Sequence, residues 1–179
     1  MWYNWFMKRY LPFALAEPFA FPEPGELGGD VDVGVEVDDL QARFALPMPP
    51  SINQQYATVR GRRVLSKDSR RYKKRVGKII RRLRARGIIP NALVAALRQG
   101  YVGLFIDFYF ETPLRRDLDG GLKITQDAIC EALGLNDNRV VDLHLVKRID
   151  PLRPRIEVQL EAIQDWQFDT EYVYLGDGS

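Results

Sequence analysis

The chain has 179 residues, 46% of them hydrophobic and 28% charged, with a formal net charge of +2, enough for one ordinary core and one domain with extensions. Its single cysteine, Cys130, excludes an internal disulfide framework, and its single histidine, His144, excludes His-rich zinc sites and makes Ser-His catalysis a poor assignment. No stretch approaches the ~20 apolar residues of a membrane span, and Pro12, Glu17 and Pro18 break the apolar run near the start, so neither a membrane protein nor a signal peptide is expected and a cytoplasmic location is.

The small net charge conceals a steep separation: −6 over residues 1–42, +15 over residues 43–116 and −7 over the remainder. A block so basic calls for a polyanionic partner, and nucleic acid fits best, because each Lys or Arg that neutralises a phosphate releases counterions.

In chain order, residues 1–24 hold eight aromatics and four prolines, too many rings for a solvated linker and too many prolines for a long helix. From Asp30 to Asp38 acids alternate with Val31, Val33, Val35 and Val37 around Gly34, a strand-like period. Residues 1–42 thus form an acidic, aromatic extension, which could recruit a protein partner or tune dimerisation. Within Ala57 to Ser66, Arg60-Gly61-Arg62-Arg63 lies between Val59 and Val64, which reads as a basic hairpin tip. Nearby Tyr56 could stack on a base or simply pack in its loop.

Between Ser69 and Arg86, Tyr72, Val76, Ile79, Ile80 and Leu83 recur at helical spacing and form the stripe of a helix packed on a core. The other face carries Arg70, Arg71, Lys73, Lys74, Arg75, Lys78 and further arginines, with no acid to make i,i+4 pairs. Such charges repel along the helix, a cost an acidic partner offsets. After Gly100, Val102, Leu104, Ile106, Phe108 and Phe110 alternate with residues that are themselves mostly apolar, which predicts a central strand.

The segment Arg115 to Lys123 reads R-R-D-L-D-G-G-L-K. Aspartates at i and i+2 point to one side only on extended backbone, whereas from Asp119 the pattern turns helical, with Leu122, Ile129, Ala132 and Leu133. Asp119 then reads as the N-cap, and Lys123, four residues on, falls on the face that carries it. A hard cation such as Mg²⁺ is held by one or two carboxylates together with a substrate phosphate, and a lysine beside it can offset charge that builds on the phosphate. Asp-x-Asp ahead of a helix is also a common cap and solvated turn. A third carboxylate comes from Leu135-Asn136-Asp137-Asn138-Arg139, a polar turn before a strand that begins near Val140. If that strand pairs beside the one ending at Glu111, Asp137 returns toward Asp117 and Asp119, whereas Asp127 and Glu131 belong to the helix body. Val141, Leu143 and Leu145 mark that strand, Ile156, Val158 and Leu160 another, and the link from Asp150 to Pro154 predicts that these two form an antiparallel pair. The expected class is α+β, a small mixed and largely antiparallel sheet with helices on one face. The tail, residues 162–179, is again acidic and aromatic.

Taken in order, Leu46-Pro47-Met48-Pro49-Pro50-Ser51-Ile52-Asn53, Arg115-Arg116-Asp117-Leu118-Asp119, Lys123, Asp127-Ala128, Asp137, Val140-Val141-Asp142 and Val146-Lys147 resemble the RusA-type Holliday junction resolvases, over about 120 of 179 residues. The resemblance implies a nuclease domain over residues 43–161, catalytic and metal-binding Asp117, Asp119 and Asp137, an essential Lys123, Mg²⁺ or Mn²⁺ as cofactor, a four-way DNA junction as substrate and a homodimer to nick it twice. Phosphate contacts would fall to Arg60, Arg62, Arg63, Arg70, Arg71, Lys73, Lys74, Arg75, Lys78, Arg115 and Arg116. Gly120 and Gly121 depart from the Asn-Leu usual in that family, each costing about 1 kcal/mol of helix propensity. A DNA-binding or scaffold protein whose site has decayed there is therefore the second reading. A nucleotidyl or glycosyl transferase is a third, and it lacks a glycine-rich phosphate loop.

Overall fold

A computed structural model describes residues 40–166 apart from Arg60 and Arg115. The aromatic stretch and the alternating Asp/Val segment read near the start lie outside the described residues, as does most of the acidic tail.

The main sheet contains β1 (Gln41–Pro47), β4 (Tyr101–Phe110), β5 (Val140–Ile149) and β6 (Arg155–Ile163), in the order β1-β6-β4-β5. Both β1 with β6 and β6 with β4 are antiparallel, while β4 and β5 run parallel. A separate hairpin pairs β2 (Tyr56–Val59) with β3 (Arg62–Leu65), as the basic tip predicted. The helices are α1 (Ile52–Gln55), α2 (Lys67–Ala85), α3 (Asn91–Gln99) and α4 (Leu122–Leu133). The expected α+β class holds.

Alternation along β4 decides the packing. Leu104, Ile106, Phe108 and Phe110 point to one face, where Ile156, Val158 and Leu160 of β6 meet Val76 and Ile80 of α2, Leu93 and Leu97 of α3, and Ile124, Ile129 and Leu133 of α4 in a single cluster. The other face carries Phe105, stacked on His144 at 4.9 Å, and Asp107, which is 2% exposed and ion-paired with Arg148. Burial raises the Asp107 carboxyl above its usual range, and Arg148 opposes that shift. On the same face Tyr109 donates to Glu157 (3.2 Å), and Arg155 bridges Glu157 and Asp150 at 2.6 Å each.

The expected β5–β6 hairpin does not form, because β4 lies between the two strands. Since β4 is apolar on both faces, it takes a neighbour on each side. Strand β6 buries Ile156, Val158, Gln159, Leu160 and Ala162 and sits inside the sheet, whereas β5, with Leu143, Val146 and Ile149 at least 40% exposed, takes the edge. Three elements escaped the sequence reading, the one-turn α1 and two that build the core. In β1, Ala42, Phe44 and Leu46 alternate inward, and in α3, Leu93, Val94 and Leu97 form a short buried stripe.

Helix α4 is the crossover between the parallel strands β4 and β5. Its end is closed by Gly134, whose φ of 67° is left-handed, and Leu135 N–H returns to Cys130 O at 2.8 Å. Phe108 is 1% exposed at the middle of this core. Phe108→Ala is expected to lower unfolding free energy by about 3–5 kcal/mol, read by urea denaturation; a loss below about 1 kcal/mol would contradict this packing.

Candidate functional site

Past β4 the chain reaches a 3-10 turn, Leu118–Gly121, that runs into α4. Asp117 precedes it on extended backbone (φ −71°, ψ 147°), as the i,i+2 argument requires, but Gly121, not Asp119, occupies the α4 N-cap. Asp119 lies within the 3-10 turn, whose tighter winding starts the helix later than the periodicity suggested. Both carboxylates are exposed.

One of the two glycines, Gly121, serves a close approach. Gly121 is buried, and a Cβ on it would collide with the Pro49 ring. Buried Gln55 donates to Pro50 O (3.3 Å) and Gly120 O (2.8 Å), Thr125 Oγ1 donates to Gly121 O (2.8 Å), and Arg116 donates to Pro49 O (2.9 Å). Segment 49–55 and segment 116–121 are thereby clamped together, and the departure from the family pattern has a packing reason at Gly121, whereas a Cβ at Gly120 would meet nothing within 4 Å.

Lys123 makes the central contact. Its Nζ donates to Asp137 Oδ2 at 2.7 Å and to Asp127 Oδ1 at 2.8 Å. Hydrogen bonds donated to Asp127, then Asp137, hold the ammonium well above its usual pKa, and the Lys123 bond in turn holds the Asp137 carboxyl below the carboxylate range. The turn carrying Asp137 is fixed on both sides: Gln126 donates to Asp137 O (3.2 Å), and Arg139 donates to Gly100 O (2.8 Å). So the lysine faces Asp127 and Asp137, where its spacing from Asp119 had suggested that aspartate. Asp127 was missed as part of the site, although its i,i+4 relation to Lys123 was readable. Asp142 contacts His144 at 2.8 Å.

Among the described residues, no group of three or more His, Cys, Asp or Glu stands close enough to hold a metal ion as the side chains lie. Lys123 and Asp137 come together; Asp117, Asp119 and Asp137 do not form such a group. In chemistry the donors still fit a hard divalent cation, since all three are carboxylates and Mg²⁺ needs only one or two besides water and phosphate. An ammonium and a divalent cation compete for the same kind of oxygen, and Lys123 is 60% exposed at its side chain, with Asp127 to retain it.

Asp117 also lines a cleft of about 200 Å³ together with Asn53, Arg116, Phe108, Phe110 and the two glycines. Of the basic residues, Arg62, Arg63, Arg70, Arg71, Lys74, Arg75 and Lys78 are exposed. Arg63 lies over the Tyr56 ring at 4.1 Å. Lys73 is ion-paired with Glu131, joining α2 to α4, and Arg116 is spent on Pro49. Arg60 and Arg115 lie outside the described residues. Helix α2 begins two residues earlier than read and so includes Asp68, which lies 3.9 Å from Arg71 at i,i+3 rather than i,i+4.

Cys130 is buried on α4, and desolvation pushes its thiol up to about 11, against about 8.5 for a free cysteine. The thiolate is therefore scarce near neutral pH and increases only as pH rises toward that value. Alkylation of the native protein by iodoacetamide at pH 8 is expected to be far slower than alkylation of the urea-unfolded chain. Equal rates would contradict the burial.

A sequence model of the family described as Endodeoxyribonuclease RusA matches residues 47–161. A protein named Crossover junction endodeoxyribonuclease RusA from Escherichia coli O139:H28 is 31% identical over 123 residues, 68% of this chain and 95% of that protein. Proteins of the same name from Escherichia coli K12 and Shigella sonnei are each 34% identical over 105 residues, 58% of this chain and 80% of their own length. Among the described residues, no helix is long and apolar enough to cross a membrane.

Proposed function

The chain belongs to the RusA family of endodeoxyribonucleases, and from that membership we propose that it is a Mg²⁺-dependent endonuclease that resolves four-way DNA junctions in the cytoplasm. The observation that carries the reading is the Lys123 bridge between Asp127 and Asp137. It ties the helix that follows Asp117 and Asp119 to the turn that bears the third family carboxylate.

Asp117, Asp119 and Asp137 would hold the cation, with Mn²⁺ as a substitute. Once bound, Mg²⁺ supplies Lewis acidity toward a phosphoryl oxygen and water of lowered pKa for in-line attack. The remaining work falls to the protein. Lys123 keeps an ammonium at the site to offset charge on the phosphate as it develops, and Asp127 would retain that ammonium were Asp137 to serve a cation. Exposed Arg70, Arg71, Lys74, Arg75 and Lys78 on α2, with Arg62 and Arg63 on the hairpin, would take backbone phosphates. These contacts position DNA without reading its sequence, so branched shape is the selected feature. A homodimer would place two identical sites for paired nicks, and the terminal extensions are available to a protein partner.

The alternative of a decayed site rested on Gly120 and Gly121. The packing of Gly121 against Pro49 and the intact Lys123 contacts favour the nuclease instead.

The test is nicking of labelled four-way junctions with Mg²⁺, against EDTA. Asp117→Asn, Asp119→Asn and Asp137→Asn are each expected to lower the nicking rate at least about 100-fold while junction binding in EDTA stays at the wild-type level. A variant among them that nicks at the wild-type rate removes its residue from the site; wild-type protein that binds junctions yet never nicks them supports the DNA-binding alternative.

A further inference from the structure

We infer that the acidic, aromatic tail beyond Trp166 docks on the basic outer face of α2 and competes with DNA for it. The competition rests on the reading of α2 as a DNA-facing surface, whereas the docking does not.

The face has far more positive charge than its surroundings neutralise. Helix α2 carries ten basic residues and one acid, Asp68. Lys73 pairs with Glu131, Arg84 donates to Asn91, and Asp68 lies near Arg71. Arg70, Lys74, Arg75, Lys78, Arg81 and Arg82 stay exposed, and among the described residues none of them makes an ion pair. Lys74 and Lys78, then Lys78 and Arg82, stand four positions apart, so like charges face one another along the helix until an acid meets them.

The tail has the matching chemistry. From Gln167 to Ser179 it holds Asp169, Glu171 and Asp177, no Lys, Arg or His, and the rings of Phe168, Tyr172 and Tyr174. Carboxylates suit the ammonium and guanidinium groups, and rings suit the guanidinium planes. The protein uses that second pairing elsewhere, with Arg63 over Tyr56 at 4.1 Å and Arg155 over Tyr109 at 3.9 Å. The tail also lies past residues 47–161, the part that the family model matches, so it is a feature added to the nuclease domain.

The tail is long enough. Trp166 follows Ile163, which pairs with Tyr101 just after the end of α3. The nine residues of α3 span about 13 Å back to Asn91, which accepts from Arg84 of α2 at 3.0 Å. Lys78 stands six residues, about 9 Å, further along α2. Thirteen extended residues reach about 43 Å, which covers this path. Because the tail is tethered, its effective concentration at α2 is on the order of millimolar, and three carboxylates suffice for a weak, reversible contact. Duplex DNA, with one charge per about 1.7 Å, displaces it where enough phosphates engage. Polyanions that make fewer contacts are turned away.

The experiment uses the full chain. Zero-length carbodiimide coupling joins a carboxylate to a lysine ammonium only where the two touch. Without DNA, mass spectrometry is expected to find Asp169, Glu171 or Asp177 coupled to Lys74 or Lys78, and saturating four-way junction should lower that yield at least about threefold. Asp169→Asn, Glu171→Gln and Asp177→Asn together should tighten junction binding in EDTA at least about threefold at roughly 50 mM salt, with the gain shrinking toward 200 mM. In a chain that also carries Arg81→Gln and Arg82→Gln the gain should be smaller, because the docking partners are gone. Absence of coupling to either lysine, or coupling only from carboxylates outside the tail, overturns the docking. An unchanged junction affinity, or a gain of equal size in the arginine variant, overturns the competition, the latter by reducing it to plain repulsion between tail and DNA. Coupling that survives saturating junction also overturns the competition and removes α2 from the DNA surface. None of these readouts depends on nicking, so failure of the nuclease reading is seen separately, as junctions that are bound and never nicked.

Discussion

Parallel pairing of β4 with β5 is the constraint from which the rest of the molecule follows. Two parallel neighbours cannot be joined by a tight turn, so the chain must cross over, and it does so through α4. The crossover has two junctions with the sheet. One is the 3-10 turn that carries Asp119 just after Asp117, and the other is the turn that carries Asp137. A single long side chain, Lys123, spans from the first turn of the helix to the second junction. Without parallel pairing, that turn would have no reason to return to the helix.

The electrostatics of the site run on the same geometry. Two acids around one ammonium make a partly exposed cluster of net charge −1, worth little as a source of stability because exposed pairs contribute at most about 1 kcal/mol. Its value lies in placement. The ammonium is held at the carboxylates by Asp127 even if Asp137 is claimed by another cation. Around it the protein presents an almost uniformly basic α2, which the Lys73–Glu131 ion pair and the Tyr72–Thr125 hydrogen bond fix to the crossover helix while the outer arginines and lysines are left to solvent or phosphate.

Much of this was legible in the sequence because it is local. Hairpin, basic helix, central strand and the Leu133-to-Val140 turn each follow from a period or a turn signature within a few residues, and the structure has them at nearly those positions. What was illegible depended on distant partners. The place of β6 between β1 and β4 depends on which strands compete for β4, which no alternation pattern encodes. Gly121 looked like a weak helix start until the Pro49 ring, 72 positions earlier in the chain, was found against it. The rotation of Lys123 toward Asp127 and Asp137 depends on the 3-10 start of α4, since a first turn of different winding changes which neighbours a side chain can reach.

The central claim is that carboxylates from both junctions of the crossover serve one cation beside Lys123. Calorimetric titration of Mn²⁺ into the wild-type protein and into Asp117→Asn and Asp137→Asn variants tests it most directly. Both substitutions should remove the same binding event, although the two residues lie twenty positions apart. If Asp137→Asn binds Mn²⁺ as the wild type does while Asp117→Asn does not, the two junctions do not share an ion and the account fails.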